Sequence, residues 1–580
     1  MDRGEYISSE MSESTELLAP RTQEEGNERL DLQILDPGEV AALSRFGKNR
    51  TLARGEHLFC TGDRDLSVFV IVSGEVEVYF TRGGKERELV VLGVGHFIGD
   101  ISMLTRMAAV VSVRAREQLE VIEIPAKEFR LVLSDLSALA EKIINAFVLR
   151  RAWLESTADF SGVLQIVGRP RDPEAFQIRD FLEKNHIPHA FIDVEGEEGA
   201  AIIEHFDLSK DGAGDLPAVI IGADSRLLRR PSLREVGSAV GLRRCLDAEG
   251  HIFDLVIIGG GPAGLSAAVG ASSEGLDTAI VERYAAGGQA GTSSKIENYP
   301  GFPSGISGGE LTNRIFLQAN RFGTGFTAAS PVVGLRREHS VDHDVWVLEL
   351  EGNGKLRARC VLIATGAEYR RLDAEGRERF EGAGVYYAAA TVDPHLYEHS
   401  TVVVVGGGNS AGQAVVYLAQ RAKKVLVVIR GEDLNKSMST YLVRRIEQAS
   451  NVEVLRHTRV SRCEGVSSLA AGELEDMNAN SRWMIETPAL FSFLGALPRT
   501  RWLPTELDRD EKGFIKTGLM ASESPHWPLR DRQPFLMETS LPGVFAAGDV
   551  RAGSTKRCAA AVGEGGQAIE CVHEFLGTYA

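Results

Sequence analysis

Cysteine is scarce: Cys60, Cys245, Cys360, Cys463, Cys558 and Cys571 are the six among 580 residues, and no two of them form a CxxC. So few and so widely scattered, these thiols suit a reducing cytoplasm better than an oxidising compartment. Long apolar runs are missing too, and without about 18 uninterrupted apolar residues no bilayer span or membrane partner is expected. Positive charge is in deficit: 64 Lys and Arg face 81 Asp and Glu, a net charge of -17 that would repel a phosphate backbone, so nucleic acid is not an expected partner. The N-terminus has no basic flank followed by an apolar segment, so no export signal is read; residues 1–29, polar and rich in Ser and Glu, read as a disordered tail.

What is present is an ordinary globular composition, 43% hydrophobic and 25% charged, in a chain too long for one core, since single cores stop growing near about 250–300 residues. Residues 30–155 carry short apolar runs split by glycines, HLFCTGD, SVFVIVSGEVEVYF, RELVVLGVGHFIGD and AAVVSVRARE, then LEVIEIP. These read as a β-roll, and KEFRLVLSDLSALAEKIINAFVLRRAWLE as a following helical stretch. Residues 158–246 change to strand, helix, strand, an independent α/β unit in which Asp172 caps a helix that starts on Pro173. From residue 251 onward strands alternate with helices, as in a pair of doubly wound domains.

Two glycine-rich strand-to-helix turns lie in that last part. In DLVIIGGGPAGLSAAVGASSEGLDTAIVE an apolar strand runs into Gly259, Gly261 and Gly264 and then a helix, and Glu282 ends the next strand. Glycines allow the sharp turn and close approach to a pyrophosphate, the helix N-terminus offers free N–H groups, and an acid about 20 residues on can accept hydrogen bonds from a ribose diol. The second turn, TVVVVGGGNSAGQAVVYLAQRAKKVLVVIR, places Gly406, Gly408 and Ala411 likewise, with Arg430 at the strand end. An arginine where a carboxylate would repel a 2′-phosphate favours NADPH over NADH.

With GGQ at Gly287 to Gln289, IENYPGF, ATG at Ala364 to Gly366 and GVFAAGDVRAGSTKRCAAAVGEG, the chain from Asp254 resembles the low-molecular-weight thioredoxin reductases. The resemblance implies FAD in a domain split into residues 251–371 and 489–580, with a nicotinamide domain at 372–488 inserted between. It implies that Gly288, Gln289, Asn298, Gly366, Gly548 and Asp549 join the first turn in holding the flavin, and that the protein is a homodimer. The family's redox CxxC is missing: GVYYAAATVD puts Ala388 and Thr391 where the cysteines would stand. Neither can carry the thiolate that disulfide exchange requires. Cys558 alone is expected near the flavin, and its ordinary reading is a small buried helix residue.

Both front modules have their own resemblances. Residues 30–155 resemble a cyclic-nucleotide-binding domain, in which a Glu holds the ribose 2′-OH and an Arg the cyclic phosphate. Here Asp100 stands at the acid and Ala109 at the arginine, a degenerate site. Residues 158–246 resemble a thioredoxin or glutaredoxin fold, with Pro217 at the family's cis proline and GRPRDP in place of its cysteines. The fold class expected is thus multidomain α/β. The expected activity is hydride transfer from NAD(P)H to FAD and onward to an unidentified acceptor: ferredoxin, flavodoxin, a quinone or a small molecule. The alternatives are a redox or nucleotide sensor with little turnover, and direct reduction of a partner's disulfide from the flavin.

Overall fold

The structure is a computed structural model. It describes residues 34–578 apart from 83–84, 106, 157–163, 171, 210–213, 223–225, 247–249, 294, 340–343, 388, 390–391, 393–394 and 396, so the expected tail, Ala388 and Thr391 lie outside the described residues. The chain divides into two compact units, Met1–Gly168 with His186–Leu242, and Arg169–Asn185 with Arg243–Ala580. Among the described residues no helix is long and apolar enough to cross a membrane.

The first unit opens with a roll of two four-stranded sheets. One runs Lys48–Leu52, Leu119–Ile124, Val68–Ser73, Phe97–Ile98; the other runs His57–Phe59, Ser112–Ala115, Val76–Arg82, Lys85–Leu92. Alternating apolar residues fill the space between them. The expected helical stretch is two helices, Ala126–Asp135 and Ser137–Ser156, because Leu136 leaves the helical region at φ -118°, ψ 64°. Phe147 on the second helix packs against Phe97 and Phe129, with ring centroids 6.1 and 5.9 Å apart.

The rest of the first unit is the sheet Ala190–Asp193, Leu164–Gly168, Ala218–Ile221, Arg226–Arg229 with helices Glu197–His205 and Leu233–Ala239. Its first pair is parallel and the remaining pairs are antiparallel, a mixed α/β arrangement, and the Leu216–Pro217 bond is cis. Helix Pro173–Lys184, which follows Leu164–Gly168 in sequence, belongs to the second unit. Asp172 caps it as expected, its carboxylate accepting from the amides of Glu174 and Ala175 at 2.8 and 2.9 Å.

The second unit holds two doubly wound domains. In the seven-stranded sheet, Ile252–Ile258 lies between Thr278–Val281 and Gly354–Ile363, parallel to both, and Val544–Ala546 returns from the far end of the chain to pair with Gly354–Ile363. Its apolar run is what a strand covered on both faces needs. The second sheet is parallel: Val385–Tyr386, Leu490–Ser492, Thr401–Val405, Lys424–Val428, Val452–Leu455. Leu490–Ser492, just past the boundary expected at residue 488, pairs with Val403–Val405 inside this second sheet. An antiparallel ribbon, Ala367–Tyr369 with Ala496–Pro498, carries the chain in and out.

Candidate functional site

At the first glycine turn Gly259 has φ +109°, and a Cβ there would strike the carbonyl of Ala364. Gly264 sits against the carbonyl of Gly259, the close strand-to-helix packing that a side chain would prevent. Gly261 caps helix Pro262–Ser273 and differs: a Cβ there would meet nothing within 4 Å, so the helix N-terminus opens onto free space. Free backbone donors beside room for a close approach fit a pyrophosphate.

Around this turn the structure gathers most of the predicted residues. Glu282, just past strand Thr278–Val281, accepts from the amide of Gly260 at 2.6 Å and from that of Tyr284 at 2.8 Å. Burial pushes its carboxyl above the usual range despite those amides. The Gly287 amide donates to Gly260 at 2.7 Å, which sets Gly288 against Gly261, while the Gln289 side chain donates to the carbonyl of Ala367, next to Gly366. Gly548 packs on the same helix start, where an added Cβ would come 2.9 Å from that of Ala263. Asp549 follows it, its carboxyl raised by burial, and its carbonyl accepts from Lys556. Asn298 is exposed on the loop between Ile296 and Ile306, and no hydrogen bond ties it to these groups among the described residues.

Sequence reading missed the groups that hold the Gly548–Asp549 turn. Glu564, on helix Cys558–Gly577, accepts from the Gly548 amide at 2.7 Å and from Arg551 at 2.7 Å. Against the upward push of burial, those donors keep its carboxyl below the ordinary range. Cys558 starts the helix half-buried, and burial pushes its thiol up to about 11.

The second turn repeats the geometry. Gly406 has φ +135° and no room for a Cβ beside the Phe493 carbonyl, whereas Gly408, capping helix Asn409–Leu418, faces open space. Ala411 is buried in that helix and packs it down. Ser437 donates to the Gly407 carbonyl at 2.9 Å, and Asn409 accepts from the Ser439 amide at 2.7 Å. Arg430 is exposed, two residues past Lys424–Val428. Both cradles therefore fit a dinucleotide.

In the first unit, Asp100 and Ala109 lie in one module, but neither offers a free polar group. Ala109 is buried, and the Asp100 carboxylate accepts from the Ser102 amide at 2.8 Å and from Arg151 at 2.5 Å.

Comparison with known proteins finds two family models in this chain. The family model described as pyridine nucleotide-disulphide oxidoreductase matches residues 253–565, and the cyclic nucleotide-binding domain model matches residues 49–135. The thioredoxin reductase of Listeria monocytogenes is 33% identical over 330 residues, 57% of this chain and 95% of the relative. That of Bacillus subtilis is 32% identical over 330 residues, 57% and 96% of the two chains. Among solved structures, Lactococcus lactis thioredoxin reductase is 26% identical, covering 56% of this chain and 99% of its own, with a TM-score of 0.49.

Proposed function

Because the chain belongs to the pyridine nucleotide-disulphide oxidoreductase family, we propose that it is a thioredoxin-reductase-like flavoprotein in which NADPH, or NADH, reduces FAD and the electrons leave for an acceptor other than an internal disulfide. The observation that carries this is the pair of open helix starts, Gly261 and Gly408, each on its own parallel sheet. FAD supplies hydride acceptance and onward electron transfer when bound, chemistry no side chain provides. Gly259, Gly261 and Gly264 give the pyrophosphate its turn, Glu282 accepts from the ribose, and Gly288, Gln289, Gly366, Gly548 and Asp549 line the remaining length. Asn298 joins them if its loop closes over the site. Gly406, Gly408 and Ala411 orient the nicotinamide nucleotide, with Arg430 placed for a 2′-phosphate.

The acceptor is proposed from chemistry. With Ala388 and Thr391 in the cysteine positions, no dithiol relays electrons, so a one-electron protein such as ferredoxin or flavodoxin, a quinone or a small molecule takes them from the flavin. The test is anaerobic mixing of the yellow protein with each reduced nucleotide. Bleaching of the flavin band is expected, and a band that stays oxidised with both would remove the proposal. A sensor with little turnover is the second reading, favoured by the missing cysteines together with the cyclic-nucleotide-type module ahead of the reductase. Rapid flavin reduction, slow reoxidation by every acceptor and a nucleotide-dependent change of shape would select it. Direct reduction of a partner's disulfide ranks last, since no protein thiol is available at those positions to form the first adduct.

A further inference from the structure

The turn of the front module that would receive a nucleotide is already engaged by two consecutive arginines of helix Ser137–Ser156. Arg151 Nη2 donates to Asp100 Oδ2 at 2.5 Å and to the Ser102 hydroxyl at 2.7 Å, while Asp100 Oδ1 accepts from the Ser102 amide at 2.8 Å. Arg150 Nη1 donates to the carbonyls of Phe97 and Gly99, both at 2.9 Å, and its guanidinium lies 4.4 Å over the Phe97 ring. Arg150 and Arg151 are only 8% and 3% exposed.

Close packing seals the same contact. A Cβ on Gly99 would meet Met103 at 2.6 Å and the Phe147 ring at 2.8 Å, so the turn lies directly on the helix. Ala109 adds a buried methyl in place of a cation. A ribose hydroxyl would therefore have to displace a charge-assisted bond in a dry site, where such a bond is strong.

Stability alone does not explain the arrangement. Arg150 Nε and Nη2 are buried without partners, and burial pulls its pKa down to about 10. Buried guanidinium groups cost desolvation that apolar side chains of the same volume would not, and what they supply instead is a specific arrangement.

We propose that Arg151 takes the place of a nucleotide in this module: it holds the Asp100 carboxylate and, with Arg150, locks helix Ser137–Ser156 onto the Phe97–Ser102 turn, so the module stays closed without cyclic nucleotide. This does not rest on the flavin reading, and its test uses no flavin signal, so either can fail alone.

The experiment compares full-length wild type, Asp100→Asn, Arg151→Ala and the double variant, by thermal unfolding with and without cAMP or cGMP at about 1 mM and by hydrogen exchange. Any ligand bound well below that concentration would raise the melting temperature. The expected result is no shift in the wild type and at least a tenfold faster exchange across residues 97–105 and 140–156 in each single variant. Asp100→Asn should add little once Arg151 is gone. Asp100→Asn keeps the shape of the side chain and serves if Arg151→Ala does not fold. A wild-type shift with either nucleotide would overturn the proposal, and so would unchanged exchange in Asp100→Asn.

Discussion

The Tyr284 hydroxyl donates to the Asp180 carboxylate at 2.7 Å, which joins helix Pro173–Lys184 to the loop that starts two residues after Glu282. Around that bond, Phe181 meets the Tyr284 ring edge-on at 5.4 Å, Asn185 donates to the Tyr284 carbonyl at 3.2 Å, and Lys184 reaches Asp180 at 2.6 Å. Burial first, and the Asp180 charge second, push the tyrosine hydroxyl up, so it stays a donor throughout the working range. Tyr284→Phe leaves a largely buried carboxylate short of one donor while the ring contact survives. The expected loss is about 1–3 kcal/mol, the usual cost of removing a hydrogen bond to a charged group. Asp180→Asn should lose less. Chemical denaturation of the two variants measures the difference, and no loss in Tyr284→Phe would mean that ring packing carries the contact.

The glycines of the first turn should separate folding from binding. Gly264→Ala drives a methyl into the Gly259 carbonyl, an overpacking expected to cost about 3 kcal/mol and lower the melting temperature of the apoprotein. Gly261→Ala puts the same methyl into open space at φ -77°, which any residue adopts, so the apoprotein should melt as the wild type does. The methyl would stand where the proposed pyrophosphate approaches, and flavin content after purification should fall sharply.

Much of this was legible because glycine sterics are local. A strand running into GGGPAG has few alternatives, and Asp172 before Pro173 announces a helix start through two adjacent residues. Contacts between distant parts of the chain left no such trace. Glu564 caps the Gly548 amide sixteen residues away, and Arg151 reaches Asp100 across 51, with no period or motif to mark either. Leu490–Ser492 is a three-residue parallel strand, too short to show a pattern, and only its pairing places it in the second sheet. The break between helices at Leu136 carries neither Gly nor Pro to mark it in the sequence.

Glu282 gives the apoprotein a pH signature. Burial raises its carboxyl above the ordinary glutamate range, so the folded state holds its proton more tightly than the unfolded chain does. Stability linked to this group is then full below the unfolded pKa and is lost as pH climbs from there through the raised folded value. Glu282→Gln removes the titration, and its unfolding free energy should fall less steeply than the wild type's over that window. Parallel curves for the two apoproteins would show that the carboxyl is not raised.

Cys558 should not replace the absent redox pair. A thiol pushed up to about 11 is ionised in roughly one molecule in ten thousand at pH 7, and only the thiolate attacks sulfur. Alkylation followed by mass spectrometry should find Cys558 slow at neutral pH and accelerating tenfold per pH unit towards 11. Cys558→Ser should reduce artificial acceptors at the wild-type rate. A large loss of that rate would instead give the thiol a part in electron transfer.

Arg430 tests the choice of nucleotide. Its guanidinium is exposed just past the strand that follows the second turn, so a 2′-phosphate there would form a solvent-screened pair worth at most about 1 kcal/mol, roughly a fivefold change in affinity. Arg430→Ala should raise the KM for NADPH by about that factor and leave NADH nearly unchanged. Because the pair is exposed, the NADPH preference should also shrink between low and physiological salt, where the screening length falls to about 8 Å. Equal effects of the substitution on both nucleotides would mean that Arg430 contacts a part common to the two, the pyrophosphate or the adenosine, and that the preference for NADPH is set elsewhere on the second sheet.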